Sequence, residues 1–194
     1  MKDLKLLNHQ WFEKKKEGRL IFDPQKEIGK QIVKAFRKHL VITLCAPPQW
    51  GKTGVSLFVS YKMSLQKIEN VFYLTGMSDR KWIEQIKERI LPCWGKNVYH
   101  RNTLNRLLMR IMNLRIKKKD KNILLIIDEC HIANRKEHML SEIMEGLGIQ
   151  NIRYLKKKNI RILQISATPS NALIDGEKWG NYHTKITPSI SKGY

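Results

Sequence analysis

Acidic residues are few: 17 aspartates and glutamates stand against 37 lysines and arginines, a formal net charge of +20 over 194 residues. An excess of that size in a small protein favours polyanionic partners, DNA or RNA, between which charge cannot choose. Lysine, isoleucine and asparagine also share A/T-rich codons, so codon bias is a competing source of the lysine. Cysteine is equally scarce. Cys45, Cys93 and Cys130 are scattered and odd in number, which excludes a disulfide framework and fits a reducing compartment. They lack the Cys-x-x-Cys spacing of a zinc site. No apolar run approaches the ~18 to 20 residues a membrane span needs. Met1-Lys2-Asp3-Leu4-Lys5 lacks the apolar core of an export signal. The expectation is an intracellular protein with no membrane contact. Internal repeats and low-complexity linkers are also missing, and a 42% hydrophobic content is enough for one sizeable core.

What is present is organised around Cys45-Ala46-Pro47-Pro48-Gln49-Trp50-Gly51-Lys52-Thr53-Gly54. An apolar run, Leu40 to Leu44, precedes it, and a helical stretch, Val55 to Lys67, follows. Strand, small-residue loop, Gly-Lys-Thr and helix together form the layout of a phosphate-binding loop. Loop N–H groups and the positive end of the helix converge on a polyphosphate. The lysine ammonium reaches the outer phosphates, and the threonine hydroxyl can sit on magnesium. The pattern G-x-x-x-x-G-K-[ST] is met except at its first position, which is Ala46. Taken alone, Gly-Lys-Thr is a common tripeptide and Lys52 could be a surface lysine at a helix start. The flanking strand and helix are what favour the phosphate loop.

Along the chain, residues 1–20 read as an extension with a helix over Leu4 to Glu17. Asp23 is placed to cap the next helix with Pro24 at its first position, and Ile28, Ile32, Val33 and Phe36 fall on one stripe. Asn70 to Thr75 is a second buried strand. Ser78 can cap a helix over Asp79 to Leu91 whose inward side carries Trp82, Ile83, Ile86 and Ile90. Asn97 to His100 is a short candidate strand. Thr103 to Ile116 is helical, with Leu104, Leu107, Leu108, Ile111 and Met112 at core spacing. Asn122 to Ile127 is apolar without alternation, as a strand covered on both faces must be. A helix is expected between Lys136 and Glu145, a short basic one over Asn151 to Lys158, and the last strand over Arg161 to Ile165. Strands alternating with helices predict a doubly wound α/β domain, a mainly parallel sheet of five or more strands with helices on both faces. Ligands in such sheets bind outside the C-terminal strand ends. Lys52, Thr75, Asp128 and Ser166 each follow such an end.

Two adjacent acids, Asp128 and Glu129, close the most apolar strand. An exposed turn would account for them. A phosphate loop upstream gives each a chemical role. Asp128 can hold magnesium opposite Thr53, and Glu129 can orient and deprotonate the water that attacks the terminal phosphate.

The order Ala-Pro-Pro-Gln-Trp-Gly-Lys-Thr, Asp-Glu-Cys-His, Ser-Ala-Thr-Pro resembles the first RecA-like domain of superfamily-two DExH helicases, in the phage, viral and restriction-type branch, from about Phe22 to Pro169. The resemblance implies a RecA-like P-loop domain over residues 21–170 that binds ATP and Mg2+. It implies that Pro48, Gln49, Trp50, Gly51, Lys52, Thr53 and Gly54 contact the nucleotide, with Thr53 and Asp128 on the metal and Lys52, Asp128 and Glu129 at the chemical centre. Gln25 is similar to the glutamine that reads adenine, although the family has one residue between proline and glutamine. By its position alone it is a polar residue in a first helical turn. His131 links the acids to Ser166, Ala167 and Thr168, the motif coupling nucleotide state to nucleic-acid grip. Without that link His131 is a hydrogen-bonded histidine. Thr75, Gly76, Ser78, Arg101, Asn102 and Thr103 resemble the motifs that lie along the DNA or RNA backbone. Trp50, Trp82 and Trp94 read as packing residues, and Lys156-Lys157-Lys158 as a solvated face.

In that family a second RecA-like domain closes over the nucleotide, and its motifs have no counterpart here. Residues 171–194 are therefore expected to be a tail or the start of a connection to such a domain, carried by this protein or by another chain. The expected function is an ATP-hydrolysing helicase or translocase domain, weakly active alone. A non-catalytic basic adaptor that keeps the motifs as relics is the other reading. A P-loop ATPase outside the helicases is a third, against which Ser166-Ala167-Thr168-Pro169 argues.

Overall fold

A computed structural model describes Glu13 and residues 21–75, 80–128, 145–146, 148, 150–167 and 179–189. Its centre is a six-stranded sheet: β1 (Val41–Cys45), β2 (Asn70–Thr75), β3 (Val98–His100), β4 (Ile123–Asp128), β5 (Ile160–Ser166) and β6 (His183–Ile186). The spatial order is β3-β2-β4-β5-β1-β6, and every pairing is parallel. The described helices are α1 (Asp23–Ala35), α2 (Lys52–Ser64), α3 (Arg80–Arg89), α4 (Leu104–Ile116) and α5 (Ile152–Lys158), with 3-10 turns at Pro92–Asn97, Arg101–Thr103 and Gly180–Tyr182.

The strands are apolar throughout because each face has its own cover. Ile42, Leu44, Val71, Tyr73, Leu124, Ile126, Leu163 and Ile165 pack with α1, α2 and Ile86 of α3. The alternate positions, among them Val41, Phe72, Leu74, Leu125, Ile127 and Ile162, pack with Leu104, Leu107, Ile111, Leu114 and Leu155 of α4 and α5. The described helices before β3 cover one face and those between β3 and β5 cover the other, as right-handed crossovers running in opposite directions require. A crevice for ligand then opens at the C-terminal ends of the central strands. This is the doubly wound α/β architecture expected. Trp94 lies in the first core, with Trp82 and Trp50 packed against it.

Several boundaries differ from the expectation, each for a local reason. Phe22, in extended conformation (φ −85°, ψ 162°), is the N-cap of α1, so Asp23 rather than Pro24 opens the helix. The Phe22 N–H donates to Gln25 Oε1 at 2.9 Å, while the Asp23 carboxylate takes Lys26 at 2.6 Å. Helix α2 starts at Lys52 rather than Val55 because Gly51 is left-handed (φ 87°) and its carbonyl accepts the Gly54 N–H at 2.9 Å. Met112 is 46% exposed, and Leu114 takes the inward place assigned to it, completing the stripe Leu104, Leu107, Ile111, Leu114. Strand β5 is not the last. The stretch read as tail or connection contributes β6, which pairs with β1. The expected helices over 4–17 and 136–145 and the Ser78 cap lie outside, or almost wholly outside, the described residues.

Two polar devices tie the layers. The Thr43 hydroxyl donates to Gln164 Oε1 at 2.9 Å and lies 2.8 Å from His183 Nε2, linking β5, β1 and β6 on one face. At the opposite end of the sheet, buried Asp120 accepts from Lys158 Nζ at 2.7 Å and from the Tyr154 hydroxyl at 3.0 Å. Arg115 Nε in turn donates to Tyr154 at 3.0 Å. Burial pushes the Asp120 carboxyl up, but its bonds to Lys158 and Tyr154 hold it below the usual aspartate value.

Candidate functional site

The loop between β1 and α2 is shaped by three contacts. The Ala46 N–H donates to Ser166 O at 3.1 Å, pinning the loop to the end of β5, and the Trp50 N–H donates to Pro47 O at 3.3 Å across a turn. Gln49 (φ 61°) and Gly51 (φ 87°) are both left-handed, which swings the chain so that α2 begins at the next residue. The opening N–H groups of a helix have no intrahelical acceptor, and together with the helix dipole they favour an anion at that end. The Lys52 ammonium folds back over the loop, 3.4 Å from Ala46 O and 3.5 Å from Pro47 O. Thr53 is half-buried in the first turn.

Gln25 joins this loop from α1. It is 6% exposed, and a Cβ built on either Gly51 or Gly54 would run into its carboxamide. Helix α1 comes this close because Gly29 meets the Phe58 ring of α2 with no Cβ between them. The structure thus brings Gln25, Gly51, Lys52, Thr53 and Gly54 together at the C-terminal end of β1.

Across the sheet the strand ends align. Cys45 pairs with Ser166, and Thr75 pairs with Asp128 on one side and His100 on the other. Ser166 and Thr75 are buried, while Asp128 is half-exposed at its strand end. Burial pushes the Cys45 thiol up, with Lys185 opposing; this sulfur is a packing atom. Among the described residues no cluster of three or more histidines, cysteines or carboxylates stands ready to cage a metal. Magnesium takes oxygen donors, commonly one or two carboxylates together with substrate phosphates. Asp128 and Thr53 have the right donor oxygens for it. Glu129, His131 and Thr168 lie outside the described residues, and Ala167 follows β5 in a bend.

Of the residues assigned to nucleic acid, Gly76 and Ser78 lie outside the described residues, as does the Arg101 side chain. Asn102 is exposed. Thr103 is turned inward: its hydroxyl accepts the His100 N–H at 3.0 Å and donates to the His100 carbonyl at 3.0 Å. His100 itself is absent from the residues the sequence singles out. Its Nδ1 is buried with no hydrogen-bond partner among the described residues. Burial, then Arg106 and Lys87, push its imidazole below the usual histidine value. Its only signal in the sequence is its place at the end of a three-residue strand. The contact of Gln25 with the loop glycines is likewise invisible there, because it depends on how α1 meets α2.

The sequence matches the family model described as "Type III restriction enzyme, res subunit" over residues 9–171. No curated protein matches it. Among solved structures, that of C. elegans PCH-2 is similar with a TM-score of 0.46 and 19% identity, over 88% of this chain and 44% of that one. No helix among the described residues is long and apolar enough to cross a membrane.

Proposed function

The chain belongs to the family of type III restriction enzyme res subunits, a helicase-like ATPase domain family, and from that premise we propose that it is the ATP-binding motor domain of a nucleic-acid helicase or translocase. The observation that carries the reading is the glycine-lysine-threonine loop at the end of β1, bonded through Ala46 to the end of β5, on the same sheet edge where β4 ends in Asp128. Lys52 binds the outer phosphates, loop N–H groups orient the chain of phosphates, and Thr53 and Asp128 would hold Mg2+. The metal, when bound, supplies charge neutralisation for phosphoryl transfer to water. Glu129 orients and deprotonates that water, and Gln25 holds the base. His131 with Ser166, Ala167 and Thr168 relays nucleotide state to the nucleic-acid grip. DNA or RNA runs across the ends of β2 and β3, over Thr75, Gly76, Ser78, Arg101, Asn102 and Thr103, through contacts that position without reading sequence. A second RecA-like domain, in the same protein or another chain, closes the crevice and supplies the groups that speed turnover.

The test is nucleotide binding and hydrolysis by the purified chain and its Lys52→Ala variant, with and without single-stranded DNA or RNA. The expected result is weak Mg-ATP binding and slow hydrolysis in the wild type, both lost in the variant. Nucleic-acid binding with no ATP binding in either protein would instead identify a basic adaptor.

A further inference from the structure

Strand β3 is the edge of the sheet, and between it and α4 runs an open groove of about 340 Å³ lined by Tyr99, Asn105, Arg106, Met109, Arg110 and Asn113. None of these described lining residues is acidic. Arg106 and Arg110 sit one helical turn apart, as do Asn105, Met109 and Asn113 along ~12 Å of helix. All five of these helix residues are exposed, and Met109 keeps 60% of its surface in solvent. At the upper end, Arg106 and Lys87 of α3 both act electrostatically on His100, so cations from two helices face that end of β3. Like charges brought together repel unless an anion covers them. The groove starts where Arg101–Thr103 turns into α4, at the sheet edge assigned above to the nucleic-acid backbone.

We propose that the β3–α4 groove is a second nucleic-acid contact, which takes a single strand leaving the ends of β2 and β3 and leads it down the side of the sheet. This rests on the motor reading above and extends it to a surface outside the family's named motifs. Arg106 and Arg110 hold phosphates. The amides of Asn105 and Asn113 face the sugars and base edges, and the Met109 thioether offers an apolar, polarisable surface to a base. A single strand suits this lining because the Met109 thioether and the asparagine amides can meet bases that a duplex keeps paired and stacked. An acidic helix of a protein partner is the competing occupant, because Met109, Met112 and Ile116 form an exposed stripe on the same helix.

The test is fluorescence anisotropy of labelled single-stranded DNA and RNA with the purified chain, titrated over a range of salt. The comparison is Arg106→Ala/Arg110→Ala against a control of equal charge change, Lys30→Ala/Lys34→Ala on the outer face of α1. Loss of two phosphate contacts reduces the slope of log K against log salt by ~1.4 for a single strand. The groove variant should show that reduction with at least tenfold weaker binding, and the control should stay near wild type. Peroxide footprinting gives a readout independent of charge: bound strand should protect Met109 from oxidation and leave Met112, outside the groove, reactive. Strand binding by the wild type that is equally weakened in both double variants, or equal protection of both methionines, overturns the groove and leaves the motor reading standing. No strand binding by the wild type overturns the groove and the nucleic-acid part of that reading together. Unchanged Lys52→Ala binding to the strand, measured without nucleotide, separates either outcome from a fault in the ATP site.

Discussion

Replacing Gly54 with alanine should destabilise the protein although it improves helix propensity. Gly54 lies in the first turn of α2, where alanine on its own would gain about 1 kcal/mol over glycine. The new methyl, however, would collide with Gln25 Oε1 and sit 2.7 Å from its Cδ. Gln25 cannot yield freely, because it is buried and its Oε1 accepts the Phe22 N–H that starts α1. Displacing it forfeits that bond, about 1 kcal/mol, and adds roughly 1–3 kcal/mol of overpacking. The net expectation for Gly54→Ala is a loss of about 2 kcal/mol, which for a chain of this size is roughly 4–8 °C in Tm. Gln25→Ala alone loses the same cap bond and leaves a void, a further penalty of order 1–2 kcal/mol. In the double variant the cap bond is lost only once and the methyl enters that void, so the two losses should fall short of additivity by about 3 kcal/mol. Urea unfolding of the four proteins closes the cycle. A neutral or stabilised Gly54→Ala, or strictly additive losses, would refute the packing of Gln25 against the loop.

The Asp120 cluster makes a prediction about pH. Its carboxyl is held below the ordinary value, so its contribution to stability is complete above the unfolded value of about 3.9 and is lost as pH falls through the lower folded value. Asp120→Asn should therefore flatten the acid limb of a stability-against-pH curve, and an unchanged limb would count against the assignment. Lys158→Ala should lose about 2 kcal/mol by removing the charged partner of that buried carboxylate, which keeps its bond from Tyr154, measurable by thermal melting. Thr43→Val removes the hydroxyl between Gln164 and His183 and leaves both polar groups without it. A loss of about 2 kcal/mol is expected, with faster hydrogen exchange in β6 than in β4.

The parts of this architecture that are legible in the sequence are those where one local signal dominates. Val71-Phe72-Tyr73-Leu74 marks β2 to the residue because nothing but a strand covered on both faces needs such a run. The same holds within one residue for Ile123 to Asp128. Strand β6 escapes a sequence reading because His183-Thr184-Lys185-Ile186 is an edge strand. Among the described residues only one of its edges is paired, its side chains stay partly in solvent, and charge there guards against further pairing. The turn from β1 into α2 is readable from Gly-Lys-Thr set between an apolar strand and a helix, whereas Gln25 reaches that loop through the helix contact at Gly29 and Phe58, which no local pattern encodes. His100 is silent for the same reason: what singles it out is the company of Arg106 and Lys87, brought by two different helices.

The central claim is that Lys52 and Asp128 act on one metal-bound triphosphate at a shared edge of the sheet. Calorimetric titration of the chain with ATP, with and without Mg2+, in wild type, Lys52→Ala and Asp128→Asn tests it most directly. Mg2+ should strengthen wild-type binding, Asp128→Asn should lose this dependence while still binding free ATP, and Lys52→Ala should bind neither form. An Mg2+ effect unchanged in Asp128→Asn, or affinity unchanged in Lys52→Ala, would contradict the claim.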